Sequence, residues 1–177
     1  MTKLMIKRIF VIGNAAGGKT RLSQQLGHLY PLPVTHVDSI QFLSDLSLRP
    51  HQETQEILDQ ILVQEKWIVD GFGPLESLEK RFALADRIVF IDLPIWRNYW
   101  WFVKRQVKNS WRPRPELPAD AQELSWQHSK KVLATMWKIH QQMRPELTRI
   151  LARENLRDKV IQIRSLKQWN AVFKNGV

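Results

Sequence analysis

Five short apolar runs rich in β-branched residues, separated by segments of helical spacing, limit this 177-residue chain more than any other feature. They lie at Ile6 to Ile12, Val34 to Val37, Trp67 to Val69, Arg87 to Ile91 and Lys159 to Ile163, and each reads as a short buried strand. Helical spacing predicts helices at Lys19 to Leu29, Gln52 to Gln64, Leu75 to Ala83, Pro94 to Val107, about Ala121 to Arg153, and Ser165 to Phe173. Strands alternating with helices require right-handed crossovers, so the expected class is α/β, with a five-stranded parallel sheet flanked by helices on both faces. Pro113, Pro115 and Pro118 mark a stiff excursion between two helices, and Pro145 predicts a kink inside the long one. No repeat, low-complexity run or linker divides the chain, so a single domain over 1–177 is expected.

The first strand runs directly into Gly13-Asn14-Ala15-Ala16-Gly17-Gly18-Lys19-Thr20, and a helix follows at once. Glycines let the backbone curl until successive amides face one anion, and the helix that follows presents its positive end to the same charge. This is the Gly-x-x-x-x-Gly-Lys-Thr spacing of a phosphate loop in its required strand–loop–helix setting. It implies ATP held by residues 13–21, Arg21 included, with Lys19 reaching the β- and γ-phosphates and the Thr20 hydroxyl offered to Mg2+. The implied fold is therefore the three-layer P-loop NTPase arrangement.

Charge and composition narrow the chemistry from outside. The formal net charge is +10, a field that attracts nucleotides, phosphorylated metabolites and nucleic-acid backbones alike. With no cysteine in the chain, thiolate metal sites and cysteine nucleophiles are excluded, and a reducing compartment, the cytoplasm, is the expected location. The apolar stretch Ile9 to Ile12 is too short for a signal-peptide core or a bilayer span, so no membrane partner is expected.

Mg-ATP chemistry needs a carboxylate near the metal, a base at the acceptor and cations for the transferring group. In an open parallel sheet these belong just past the carboxyl ends of strands. Asp38, Asp70 and Asp92 stand there, each also readable as a cap or turn residue, with Asp92, before Leu93-Pro94, fitting that plainer role best. His36 reads first as a packed strand residue; only its near-neutral titration argues for catalysis.

Together the loop GNAAGGKT, the phrases VTHVDSI and WIVDGFG, the segment RFALADRIVFIDLP and the basic helix after it resemble the adenylate-kinase-like P-loop kinases, most closely the topology modulation proteins. The resemblance spans about residues 6 to 115. It implies a phosphotransferase that moves the γ-phosphate of ATP to a small-molecule acceptor, a nucleoside, nucleotide or similar compound. It implies that Asp38 is the general base or orienting group, that Asp70 reaches magnesium through water, and that Arg105 is the lid arginine on the transferring phosphoryl group, with Arg144 a second such arginine. It places a helical lid at about 105–120. The chain departs from the pattern at Ala16, where a further glycine is usual, and at Phe72-Gly73-Pro74, which lacks the arginine that adenylate kinases place next; Arg81 is the nearest substitute.

Trp96, Trp100, Val103 and Val107 form a stripe at helical spacing, which reads as the packed face of an amphipathic helix. The other account is that a ring stacks on a flat ligand, with Trp111 the first to test. The basic, aromatic-rich segment from Arg97 to Lys138 supports a competing function, an ATP-binding protein associated with nucleic acid. The absence of a helix-turn-helix, zinc-finger or RNA-binding signature favours the kinase. A monomer or a homodimer is expected.

Overall fold

The structure is a computed structural model that describes residues 6–41, 43, 47–111 and 126–177, side chains at 108–111 and 126–128 excepted. Five strands, β1 (Arg8–Gly13), β2 (Val34–His36), β3 (Trp67–Asp70), β4 (Arg87–Ile91) and β5 (Val160–Ile163), form one sheet in the order β2-β3-β1-β4-β5, and every pairing is parallel. All five predicted strands are present.

The sheet is covered on both faces, which is why its strands read as unbroken apolar runs. Ile9, Val11, Ile68, Val89 and Ile91 pack on one face against Leu22 and Leu26 of α1 (Lys19–Leu29) and Trp169 of α9 (Leu166–Asn175). On the other face Phe10, Ile12, Val69 and Phe90 meet α3 (His51–Leu62), α4 (Leu78–Leu84) and α7 (Arg144–Leu151). Fully burying one such Leu, Ile or Phe contributes about 1.5–3 kcal/mol, so these two seams hold the layers together. β1 hands the chain to a helix on one face and β3 to a helix on the other. The crevice between their carboxyl ends is thus the topological switch point where open α/β sheets bind ligands.

Three expectations are corrected in detail. The second strand stops at His36, because Val37 opens a short helix, α2 (Val37–Gln41). The long helix divides into α6 (Trp126–Lys138) and α7, joined by a π-turn over Ile139–Met143. Pro145 thus sits in the first turn of α7, where its missing N–H costs nothing, and the wider π-turn absorbs the break just before it. The Trp stripe on α5 (Ile95–Trp111) faces outward, with Trp96, Trp100, Val103 and Val107 all 48% exposed or more. The buried face is instead Asn98 and Phe102, with Trp101 against Trp169. Two stripes of helical period coexist on α5, and the one that turns inward carries Asn98, whose Oδ1 is buried without a partner among the described residues. Trp111 closes α5, but its side chain and residues 112–120 of the expected lid lie outside the described residues.

Candidate functional site

The phosphate loop is built on one steric condition at each end. At Gly13 a β-carbon would come within 2.5 Å of the Ile91 carbonyl oxygen, so only glycine lets β1 bend away beside β4. Gly18 caps α1 with φ of 80° and lies against Trp101 and Trp169, each 3.3 Å from where a β-carbon would stand. Between them Ala16 takes φ of 53°, a left-handed conformation that costs a non-glycine residue about 1–2 kcal/mol. That is the position where the sequence departs from a further glycine.

Two other helices hold the loop, one through a side chain and one through a backbone carbonyl. The Asn98 amide on α5 donates to the Ala15 carbonyl at 2.9 Å; the Asn14 amide donates to the Met136 carbonyl on α6 at 2.9 Å, while Asn14 Oδ1 accepts from the Ala15 N–H at 2.8 Å. Asn98 escaped the sequence reading, although a lone amide on an otherwise apolar helical face was its signal. α1 has no acidic residue in its first turn, so its positive end is left for an anion, with Thr20 and Arg21 exposed beside it.

Lys19 points back into this cradle, its ammonium donating to the carbonyls of Gly13 and Asn14 at 3.1 and 3.0 Å. Burial lowers its pKa below the ordinary lysine value, Asp38 and Asp70 act to raise it, and Arg105 lowers it further. Four of the residues marked in the sequence therefore share one electrostatic neighbourhood. The helical period brings Arg105 there, since it follows Asn98 and Trp101 on the inward side of α5 at positions i+7 and i+4.

On the other flank the parallel register sets His36 of β2 opposite Asp70 of β3. His36 Nδ1 lies 2.7 Å from Asp70 Oδ2, and Asp70 is buried with its side chain 5% exposed. The hydrogen bond to Asp70 raises the His36 pKa, burial opposes the rise, and the charge of Asp38 adds to it. Asp38 is exposed at the start of α2. Its Oδ1 is 3.7 Å from where a β-carbon on Gly71 would stand, at the turn that follows Asp70.

Arg144 stands on the β4 side of the loop, where it lines one small cavity with Gly13, Asn14 and Asp92. Its guanidinium is bidentate on Asp92, through a short Nε contact to Oδ1 and through Nη2 to Oδ2 at 3.1 Å; Gln162 donates to the same carboxylate at 2.9 Å. That pairing raises the pKa of Arg144. Asp92 is consequently a buried ion-pair residue, not the simple turn or cap residue expected. Arg81 is committed to the turn that follows β3. It is fully buried and donates to the carbonyls of Gly71 and Pro74 at 3.0 Å, of Phe72 by a shorter contact, and of Ser77 at 3.4 Å, with the Phe10 ring 4.8 Å away. Burial pushes its pKa down to about 10, so it remains a cation at neutral pH.

Among the described residues no three His, Asp or Glu side chains cluster as a metal cage. Thr20, exposed at the start of α1, and Asp70, at the end of β3, carry oxygen donors of the kind magnesium takes in nucleotide sites, where one or two protein oxygens act together with substrate phosphates. No described helix is long and apolar enough to cross a membrane.

No protein-family model matches the chain, and no curated protein matches it. Solved structures do. A shikimate kinase from Acinetobacter baumannii in complex with shikimate superposes with a TM-score of 0.58 at 14% identity, over 96% of this chain and 90% of that one. A gluconokinase from Sinorhizobium meliloti 1021 gives 0.52 at 13% identity, over 89% and 82%. A shikimate kinase from Bacteroides thetaiotaomicron gives 0.52 at 10% identity, over 96% and 95%. The fold is that of the small-molecule P-loop kinases.

Proposed function

We propose that this chain is an ATP-dependent kinase that phosphorylates a small-molecule hydroxyl. One observation carries the reading: the Lys19 ammonium lies within a glycine-shaped loop on the carbonyls of Gly13 and Asn14, and Asp38, Asp70 and Arg105, from α2, β3 and α5, all bear on its charge. Cations on one flank and carboxylates on the other are what in-line phosphoryl transfer requires. The phrases VTHVDSI and WIVDGFG support kinship with the topology modulation proteins within this fold.

In this mechanism the loop amides and the ammonium of Lys19 bind the β- and γ-phosphates. The acceptor oxygen attacks the γ-phosphorus, the bond from that phosphorus to its bridging oxygen breaks, and ADP leaves with the electron pair. The hydroxyl proton passes to the Asp38 carboxylate. Arg105 meets the charge that develops on the transferred group. Thr20 and Asp70 would hold magnesium, which when bound neutralises phosphate charge. His36 fixes the Asp70 carboxylate through its Oδ2. Arg144, held by Asp92 in a cavity shared with Gly13 and Asn14, is the second arginine beside the phosphates.

Calorimetry with ATP tests the reading. Magnesium-dependent binding that disappears in Lys19→Ala supports it; magnesium-dependent uptake that is absent from the unmodified protein refutes it.

A second reading has one observation in its favour. The outward face of α5 carries exposed Trp96 and Trp100, and the Arg97 guanidinium lies 4.3 Å from the Trp96 ring centre, a combination suited to stacking bases and contacting phosphates. Binding of single-stranded DNA with a steep salt dependence, undiminished in Lys19→Ala, would favour this reading.

A further inference from the structure

The flank of the crevice opposite the phosphate loop is formed by His36, Asp38, Asp70 and the turn Gly71–Pro74, with α2 and α3 closing it. A phosphorylated or carboxylate-bearing acceptor would need a cation there, ordinarily an arginine that can offer two parallel N–H groups. Two arginines border this flank, and both are already engaged.

Arg49 is the only Lys or Arg between Asp38 and Pro50. Its Nε donates to the Ile40 carbonyl at 2.9 Å and its Nη1 lies 3.4 Å from Glu53. Arg81 has all three guanidinium nitrogens turned inward onto carbonyls of its own turn and of Ser77, with no solvent exposure. Freeing it would strip several buried carbonyls of their donor at once, and each such loss is costly. What remains toward the crevice is acidic, namely Asp38 and Asp70, with His36 held by Asp70. An anionic acceptor would meet the exposed carboxylate of Asp38, with the buried Asp70–His36 pair behind it, and, among the described residues of this flank, only guanidiniums that already donate to carbonyls.

We infer that the acceptor is an uncharged hydroxyl compound, a nucleoside or a polyol, and not a monophosphate or a carboxylate. This rests on the kinase reading above and specifies its substrate class. The balanced reaction is ROH + ATP → ROPO3(2−) + ADP + H+, the proton leaving through Asp38. Discrimination against the charged analogue arises because its anion would be desolvated beside like charge.

The test uses the full chain and matched pairs: adenosine with AMP, uridine with UMP, glycerol with glycerol 3-phosphate, and glucose with gluconate. ADP release is followed with Mg-ATP, and Mg-ATP binding is measured separately by calorimetry. The expected result is that an uncharged member raises ADP release at least tenfold over the rate without acceptor, with kcat/KM at least tenfold above that of its charged partner. A charged member that outperforms its uncharged partner overturns the inference. So does normal Mg-ATP binding with stimulation by no uncharged member. A chain that binds no Mg-ATP overturns the kinase reading itself, which separates the two failures.

Discussion

The two flanks of the crevice differ in how their charges are used. On the loop flank Lys19 bonds backbone carbonyls, and burial together with the charge of Arg105 lowers its pKa, with Arg21 exposed nearby, its guanidinium 5.0 Å from the Phe173 ring centre. On the opposite flank Arg49 and Arg81 donate to carbonyls, Asp38 is exposed, and the buried Asp70 is held by His36. The Lys19 ammonium has three N–H groups and places two on carbonyls, whereas fully buried Arg81 has every guanidinium nitrogen committed, so the first keeps a donor for a ligand and the second is framework. The difference shows that counting basic residues near a site says little until each guanidinium's partners are known.

The comparison breaks most readily at Lys19. Lys19→Ala is expected to lower turnover by about a thousandfold, as loss of a charge-stabilising donor does at such sites, with loss of Mg-ATP uptake by calorimetry. Asp38→Asn should lower kcat about a hundredfold, within the range of a general base, while ATP affinity stays within twofold; steady-state kinetics beside a binding isotherm would separate the two effects. If Arg81 is framework, Arg81→Met should cost about 3 kcal/mol in urea denaturation, because buried carbonyls at Gly71, Phe72 and Pro74 lose their donor. A loss of catalysis without loss of stability would place Arg81 on the functional side instead.

His36 sharpens the contrast through pH. Its folded pKa lies above the ordinary histidine value because of Asp70. The pair's stabilisation is therefore complete below about pH 6.5 and is lost as pH rises through the folded pKa. Thermal melts from pH 5.5 to 8.5 should show a decline in Tm across neutrality that His36→Gln flattens. The smallest effect is expected at Ala16. Ala16→Gly relieves a left-handed alanine and should stabilise the chain by about 1 kcal/mol or less, since glycine also adds freedom to the unfolded chain.

Much of the fold was legible because burial on both faces leaves a parallel strand few polar residues, and because a phosphate loop tolerates only certain residue types at its turns. β1, β3, β4 and the loop Gly13–Thr20 were read from those constraints alone. What escaped was set by pairing at a distance. His36 meets Asp70 through strand register, and Arg144 meets Asp92 across 52 positions of sequence, so neither contact has a local signature. The facing of α5 was misread for a different reason. Trp96 and Trp100 compete with Trp101 and Phe102 for the apolar side, and hydrophobicity alone cannot choose between stripes one residue apart. The inward stripe carries Asn98, whose bond to Ala15 only the folded chain supplies.

The paired asparagines have an effect on affinity as well. A glycine-rich segment left to itself would be ordered only by its ligand, and the entropy of freezing it would be subtracted from binding. With Ala15 bonded to Asn98 of α5 and Asn14 to the Met136 carbonyl of α6, the loop has partners that do not depend on a bound anion. Binding strength at this loop is thus set in part by two amides that need not touch the nucleotide.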